Sequence, residues 1–189
     1  MLIKTFGSAV YGVEAVTITI ELNWIGSGKD TTIVGLPDSA IKESMHRVES
    51  TIKSNGYEWP RTRVVINLAP ADIRKSGTAF DLAIAIGILA TSGQLRNHQL
   101  LEKYILMGEL SLDGELRPIK GALPIAIQAR KEGFKGLLLP RANAREAGMV
   151  NNLAVYGVDH IRDVIAFFLN EEKGLTPTQI NTREEFFDS

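Results

Sequence analysis

No cysteine occurs among the 189 residues, which excludes a disulfide framework, a thiolate nucleophile and a cysteine-ligated metal. Such usage fits a reducing compartment, and the expected location is cytoplasmic. Histidine is scarce. His46, His98 and His160 stand far apart on different expected elements, without the paired spacing of a metal site, so no metal is expected. Long apolar runs are also missing: the longest, Ala79–Ala90, is too short to span a bilayer and contains Asp81. The start, MLIKTFGSAVYG, lacks the continuous apolar core of a signal peptide, and no membrane partner is expected. Nor does one sign of charge dominate. With 21 basic and 22 acidic residues the net charge is −1, which gives no electrostatic case for nucleic-acid binding by composition alone.

What is present describes an ordinary globular domain, with 44% hydrophobic and 23% charged residues, large enough to bury a substantial core. Val16, Ile18, Ile20 and Leu22 alternate with Thr17, Thr19 and Glu21, the period of a half-buried strand. Leu2–Phe6 reads as a strand before it, with Gly7 and Gly12 bounding a turn. Gly26–Asp30 reads as a hairpin turn leading to a strand over Thr31–Leu36. Asp38 is placed to cap a helix whose apolar residues Ile41, Met45, Val48 and Ile52 form one stripe, ended by Asn55-Gly56. Val64–Leu68 is a β-branched strand. A buried helix follows, apolar nearly all round, with Thr78 and Asp81 in the spacing of a capping box. Later come a hairpin of Tyr104–Leu110 and Glu115–Pro118, a helix from about Gly121 to Glu132, and a strand over Gly136–Leu139. A short helix (Ala142–Ala147), a strand (Ala154–Tyr156) and a helix (Ile161–Leu169) complete the domain. Residues 1–170 are thus expected to form one α/β domain of two layers. Residues 171–189, with Glu171, Glu172, Glu184, Glu185 and Asp188 against Lys173 and Arg183, read as a polar linker.

Two short motifs weaken on inspection. Ile25-Gly26-Ser27-Gly28-Lys29-Asp30 looks like a phosphate-binding loop, but Asn23 stands where the first glycine belongs and Asp30 where a Mg2+-binding hydroxyl belongs. No nucleotide is expected to bind there. Glu109, Asp113 and Glu115 gather on a hairpin, where carboxylates usually face solvent rather than share acid–base work.

The order of segments carries more. VVINLAPADIRKSGTAFDLAIAIGIL followed by MGELSLDGELRPIKGALPIAIQARKEGFKGLLLP resembles the proteolytic domain of Lon-type ATP-dependent proteases, whose fold is of the ribosomal-protein-S5-domain-2 kind. In that family a Ser–Lys pair does the chemistry. Laid on this sequence, Gly77 and Thr78 take the places before the serine, and Ala79 takes the serine place. Pro118, Ile119 and Gly121 match the stretch before the lysine, whose place falls on Leu123. Alanine offers no nucleophile and leucine accepts no proton, so this chain is expected not to be an enzyme. The alternative is a relocated dyad, Ser76 with Lys75 or Lys120, which would need a desolvated lysine within reach of the hydroxyl. The resemblance also implies a left-handed strand–helix–strand crossover.

A second resemblance covers nearly the whole chain. MLIKTFGSAVYGVEAVTITIE, IVGLPDSAIKES, NLAPADIRKSGTAFDLAIAIGIL and AREAGMVNNLAVYGV are similar to the N-terminal domain of the magnesium-chelatase-like AAA+ ATPases of the competence-protein-M type. That likeness implies a following P-loop ATPase module that uses ATP and Mg2+. It also implies a homo-oligomer, a hexamer at full length, and work on DNA in branch migration and natural transformation. The domain itself is then expected to serve assembly or partner contact; a free-standing interaction domain is the other reading. Arg74, Lys75, Arg117 and Lys120, from the two loops flanking the degenerate site, are the candidate DNA contacts.

Overall fold

A computed structural model describes residues 1–26, 28 and 30–180. Strands β1 (Ile3–Tyr11) and β2 (Glu14–Ile25) form a hairpin about Gly12, in register from Ile3↔Leu22 to Tyr11↔Glu14. The alternation in β2 points Ile18, Ile20 and Leu22 into the core, as its pattern required. The first strand runs through Gly7, where a turn was expected. A Cβ there would stand 2.9 Å from the ring of Phe80, so Gly7 lets that ring close on the strand rather than turning the chain. Strand β4 (Arg63–Ala69) pairs antiparallel with β2. Strand β3 (Thr32–Val34) lies beyond it, parallel to β4 through Ile33↔Ile66. The hairpin expected around Gly26–Asp30 is therefore not formed: β2 and β3 have β4 between them. Alternation could not reveal this, because it fixes which face a strand buries but not its neighbour. Ser27 and Lys29 of that segment lie outside the described residues.

Helix α1 (Ser39–Ser54) starts as expected, with Asp38 Oδ1 accepting from the Ile41 N–H at 2.9 Å. It buries Ile41, Val48 and Ile52. Helix α2 (Asp81–Thr91) is buried along its whole length, against β1 and β2 on one side and α1 on another. The capping box does not form. Phe80 precedes the helix without a side-chain cap, and Asp81 is turned instead toward Arg47 of α1.

The second half contains α3 (His98–Leu101), β5 (Tyr104–Leu106), β6 (Glu109–Leu110), β7 (Leu116–Arg117), α4 (Ala122–Lys131), β8 (Gly136–Pro140), α5 (Arg141–Ala147), β9 (Ala154–Val158) and α6 (Ile161–Leu169). The strand expected over Tyr104–Leu110 is two. β5 joins the main sheet, whereas β6 pairs only with β7. The chain leaves the sheet at Gly108, whose N–H donates to the Ala79 carbonyl at 3.0 Å.

Among the described residues seven strands make one sheet in the order β3-β4-β2-β1-β5-β8-β9. β3, β4, β1, β5, β8 and β9 all run the same way. Helices α1, α2 and α6 pack on the face that carries Ile20, Leu138 and Tyr156. Helices α4 and α5 pack on the other, with Leu137, Leu139 and Val155. They add a third layer to the two expected, which explains why β5 and β8 are buried at every position. A geometric consequence follows. β3–α1–β4 and β4–α2–β5 step along the sheet in the same direction as β5–α4–β8 and β8–α5–β9, but with helices on the opposite face. The two sets of crossovers have opposite hands. The right-handed norm for such connections can therefore hold for one of the two sets only.

Residues 171–180 stay on the domain rather than leaving it at residue 170. Glu172 accepts from the Tyr104 hydroxyl at 2.6 Å and the Lys135 ammonium at 2.9 Å, and the Thr178 N–H donates to Val155 O at 2.7 Å. Residues 181–189, with the remaining acids of the expected linker, lie outside the described residues.

Candidate functional site

Helices change face between β1 and β5, and the ends of these parallel strands leave a crevice, the usual place for a site in such sheets. A cleft of about 310 Å3 opens there. Ser8–Tyr11 at the end of β1 form one wall, Ser76–Phe80 the second, and Met107, Pro118–Lys120 and Ile125 the rest. Gly121 brings α4 close to β1: its φ is +78°, and a Cβ would stand 2.7 Å from Val10 Cγ2. The far wall is fixed by a reciprocal pair, Ile119 N–H to Asn143 Oδ1 (2.9 Å) and Asn143 Nδ2 to Ile119 O (2.8 Å). The Tyr11 hydroxyl donates to Arg74 O at 2.6 Å, tying the other loop to β1.

Ala79 lines this cleft. Leu123, on the first turn of α4, packs with Ala79 against the same apolar cluster, while its N–H donates to Glu146 Oε1 at 3.3 Å. Both positions that the Lon-like likeness assigns to serine and lysine are hydrocarbon; Ala79 lines the cleft and Leu123 does not. Ser76 and Lys120 also line the cleft, and both are exposed. Among the described residues Ser76 Oγ makes no hydrogen bond, to Lys120 or to any other group.

Lys75 belongs to neither a dyad nor a DNA patch. It is fully buried, its ammonium donating to Gly35 O at 2.8 Å and to Pro70 O. Burial holds it below the ordinary lysine value, with Asp72 pulling weakly the other way. Its backbone bonds Leu36 O and the Asp38 N–H, both at 3.0 Å. Asp38 Oδ2 accepts from the Gly77 N–H at 3.1 Å. Asp38 therefore caps α1 and pins the cleft loop at once. Nothing in the sequence distinguished Lys75 from its solvated neighbour Arg74, because side-chain direction in an irregular loop has no periodicity. Arg74, Arg117 and Lys120 are exposed as expected.

The second buried charge was also missed. Asp81 accepts from Arg47 Nε at 2.8 Å and Nη2 at 3.1 Å, and from the Leu110 N–H at 3.0 Å. Burial pushes its carboxyl up, and Arg47 and the Leu110 N–H pull it back. This fork joins α1, α2 and β6. It sits behind the cleft and does not line it. Of the hairpin acids, Asp113 accepts from the Ser111 hydroxyl and the Glu115 N–H, which hold it below the ordinary carboxylate range; it caps a turn. His160 caps α6, accepting from the Arg162 N–H at 3.2 Å, and His46 faces solvent. Among the described residues no three His, Cys, Asp or Glu gather as a metal site, and no helix is long and apolar enough to cross a membrane.

Comparison with known proteins fits this geometry. Residues 20–143 match the family described as subunit ChlI of magnesium chelatase. The YifB protein of Escherichia coli is 42% identical over 159 residues, which are 84% of this chain and 31% of that protein. Competence protein ComM of Haemophilus influenzae is 38% identical over 175 residues, 93% of this chain and 34% of its own length. The Lon protease of Elusimicrobium minutum is 25% identical over 179 residues, 88% of this chain and 21% of that protein. The chain spans about a third of the first two relatives' length.

Proposed function

The chain belongs to the family of the ChlI subunit of magnesium chelatase, and from that premise we propose that it is the catalytically silent N-terminal domain of a chelatase-like AAA+ ATPase acting on DNA. The observation that carries the reading is the cleft. In the Lon-like likeness the serine place is Ala79, which lines the cleft, and the lysine place is Leu123, which packs on the adjoining apolar cluster. A hollow without nucleophile or base at those places serves contact better than chemistry. The likeness to competence protein ComM supports a role in DNA processing during natural transformation.

ATP and Mg2+ belong in this proposal to a separate module. The chain's own glycine-rich segment does not fit them, since Asp30 would face the phosphates where a hydroxyl should hold the metal. The domain's part is to assist assembly of the homo-oligomer, a hexamer, and to contact partners, DNA among them. Removing residues 1–170 from the full-length protein should leave Mg-ATP hydrolysis while abolishing migration of a branched DNA substrate. Retention of full branch migration by the truncated protein would overturn the proposal. A relocated protease dyad is the rival, favoured by one observation: Ser76 and Lys120 line the same cleft.

A further inference from the structure

Both tryptophans of the chain, Trp24 and Trp59, line one hollow of about 180 Å3 near the end of β2 opposite to the cleft. That hollow shares Glu58–Arg61 with a wider groove of about 710 Å3, which Lys53 and Tyr57 also line. Trp24, near the end of β2, is 46% exposed, an unusual place for so large an aromatic surface. Trp59 is half-buried against the core, so its ring is braced. The loop that carries it is pinned by a reciprocal pair: Gln94 Oε1 accepts from the Glu58 N–H at 2.8 Å, and Gln94 Nε2 donates to Glu58 O at 2.7 Å. Arg61 is exposed and lines both hollows. Lys53 is engaged by Glu49 at 3.2 Å, and Glu58 is the acid among the lining residues. Thr62 Oγ1, in the wall of the smaller hollow, is the buried side-chain oxygen left without a hydrogen-bond partner among the described residues.

We propose that this groove binds single-stranded nucleic acid, with bases stacking on Trp24 and Trp59 and a phosphate meeting Arg61. Aromatic faces beside an exposed guanidinium group are the two elements such a strand requires. A duplex fits poorly, because its bases already stack on each other and present no free faces to the groove. An apolar peptide would use the rings but leave the arginine idle. The proposal rests on the DNA-processing reading for the biological sense of its ligand. Its geometry is independent of the silent cleft.

The chain's tryptophan emission comes from this groove alone, so it reports occupancy directly. Titration of the 189-residue chain with an oligothymidylate of about 20 nucleotides at low salt should quench that emission saturably. Trp24→Ala should weaken binding about ten-fold, the worth of one base–aromatic stack, while Trp24→Phe retains most of it. The Arg61→Ala variant should weaken binding and lower the salt slope by about 0.7, the share of one phosphate on a single strand that is no longer neutralised. The Arg74→Ala, Arg117→Ala, Lys120→Ala triple variant should bind as the wild type does. No quenching, equal affinity for a duplex of the same length, or loss of binding in the triple variant rather than in Arg61→Ala would each overturn the proposal. None of these results would touch the branch-migration test of the truncated protein, so the two readings fail separately.

Discussion

The two sides of the sheet solve the same packing problem by different means. From β3 to α2 the chain combines antiparallel and parallel pairing, crossovers on one face of the sheet and two buried charges, Lys75 and Asp81. From β5 to β9 the strands of the main sheet are wholly parallel, their crossovers lie on the other face, and the ion pair Arg141–Asp159 is out in solvent. Parallel strands flanked by helices on both faces need only hydrophobic side chains to fix their order. In the first half loops must carry β3 past β4 and return the chain to α2, and buried polar groups hold those loops: Lys75 on Gly35 and Pro70, Asp38 on Gly77, Asp81 on Arg47 and Leu110. The cleft lies at the seam between these two regimes. Its shape is therefore a product of the topology, and it persists whatever side chains occupy its reacting positions.

The contrast is broken most severely at glycine. Gly35 has φ +104°, and a Cβ there would fall 2.1 Å from the Leu68 carbonyl oxygen. Gly35→Ala should cost about 4 kcal/mol or more, seen as loss of soluble folded protein or a collapsed denaturation midpoint. Gly133, in the second half, has φ +82° with nothing within 4 Å of a Cβ. Gly133→Ala should cost only the left-handed backbone penalty, about 1–2 kcal/mol.

Ion pairs give the next largest difference. Asp81→Ala strands Arg47 and the Leu110 N–H in a water-poor region, and should destabilise by about 3 kcal/mol in urea denaturation. Arg141→Ala removes a pair whose side chains are 70% and 62% exposed, and should leave the midpoint where it was.

These pairs also show where the sequence was legible. Helix α1, its Asp38 cap and helix α6 followed from periodicity and local chemistry, as did β2 from its alternation and β4 from its β-branched run. Strand order did not, since Thr32–Val34 looks the same whether it pairs with β2 or β4. Asp81 was read by its local spacing to Thr78, whereas its partner Arg47 is 34 residues away. At the site, Ala79 and Leu123 were singled out because a motif frames them. Lys75 and the Trp24–Trp59 hollow depend on folds of loop that leave no pattern.

The smallest effect concerns the tail. The Tyr104 hydroxyl and the Lys135 ammonium hold Glu172 below the ordinary glutamate value. With its folded pKa depressed, Glu172 contributes stability above the unfolded value of 4.5, and that contribution is lost as pH falls through the folded pKa. Glu172→Gln should therefore lower stability slightly at neutral pH and flatten its acid dependence. An unchanged acid limb would mean that residues 171–180 do not dock in solution.

The central claim, a cleft retained without its chemistry, is tested most directly by incubating the purified chain with casein and following peptide release. The account predicts no digestion above background, unchanged in the Ser76→Ala and Lys120→Ala variants. Proteolysis that survives repurification and disappears on either substitution would contradict it.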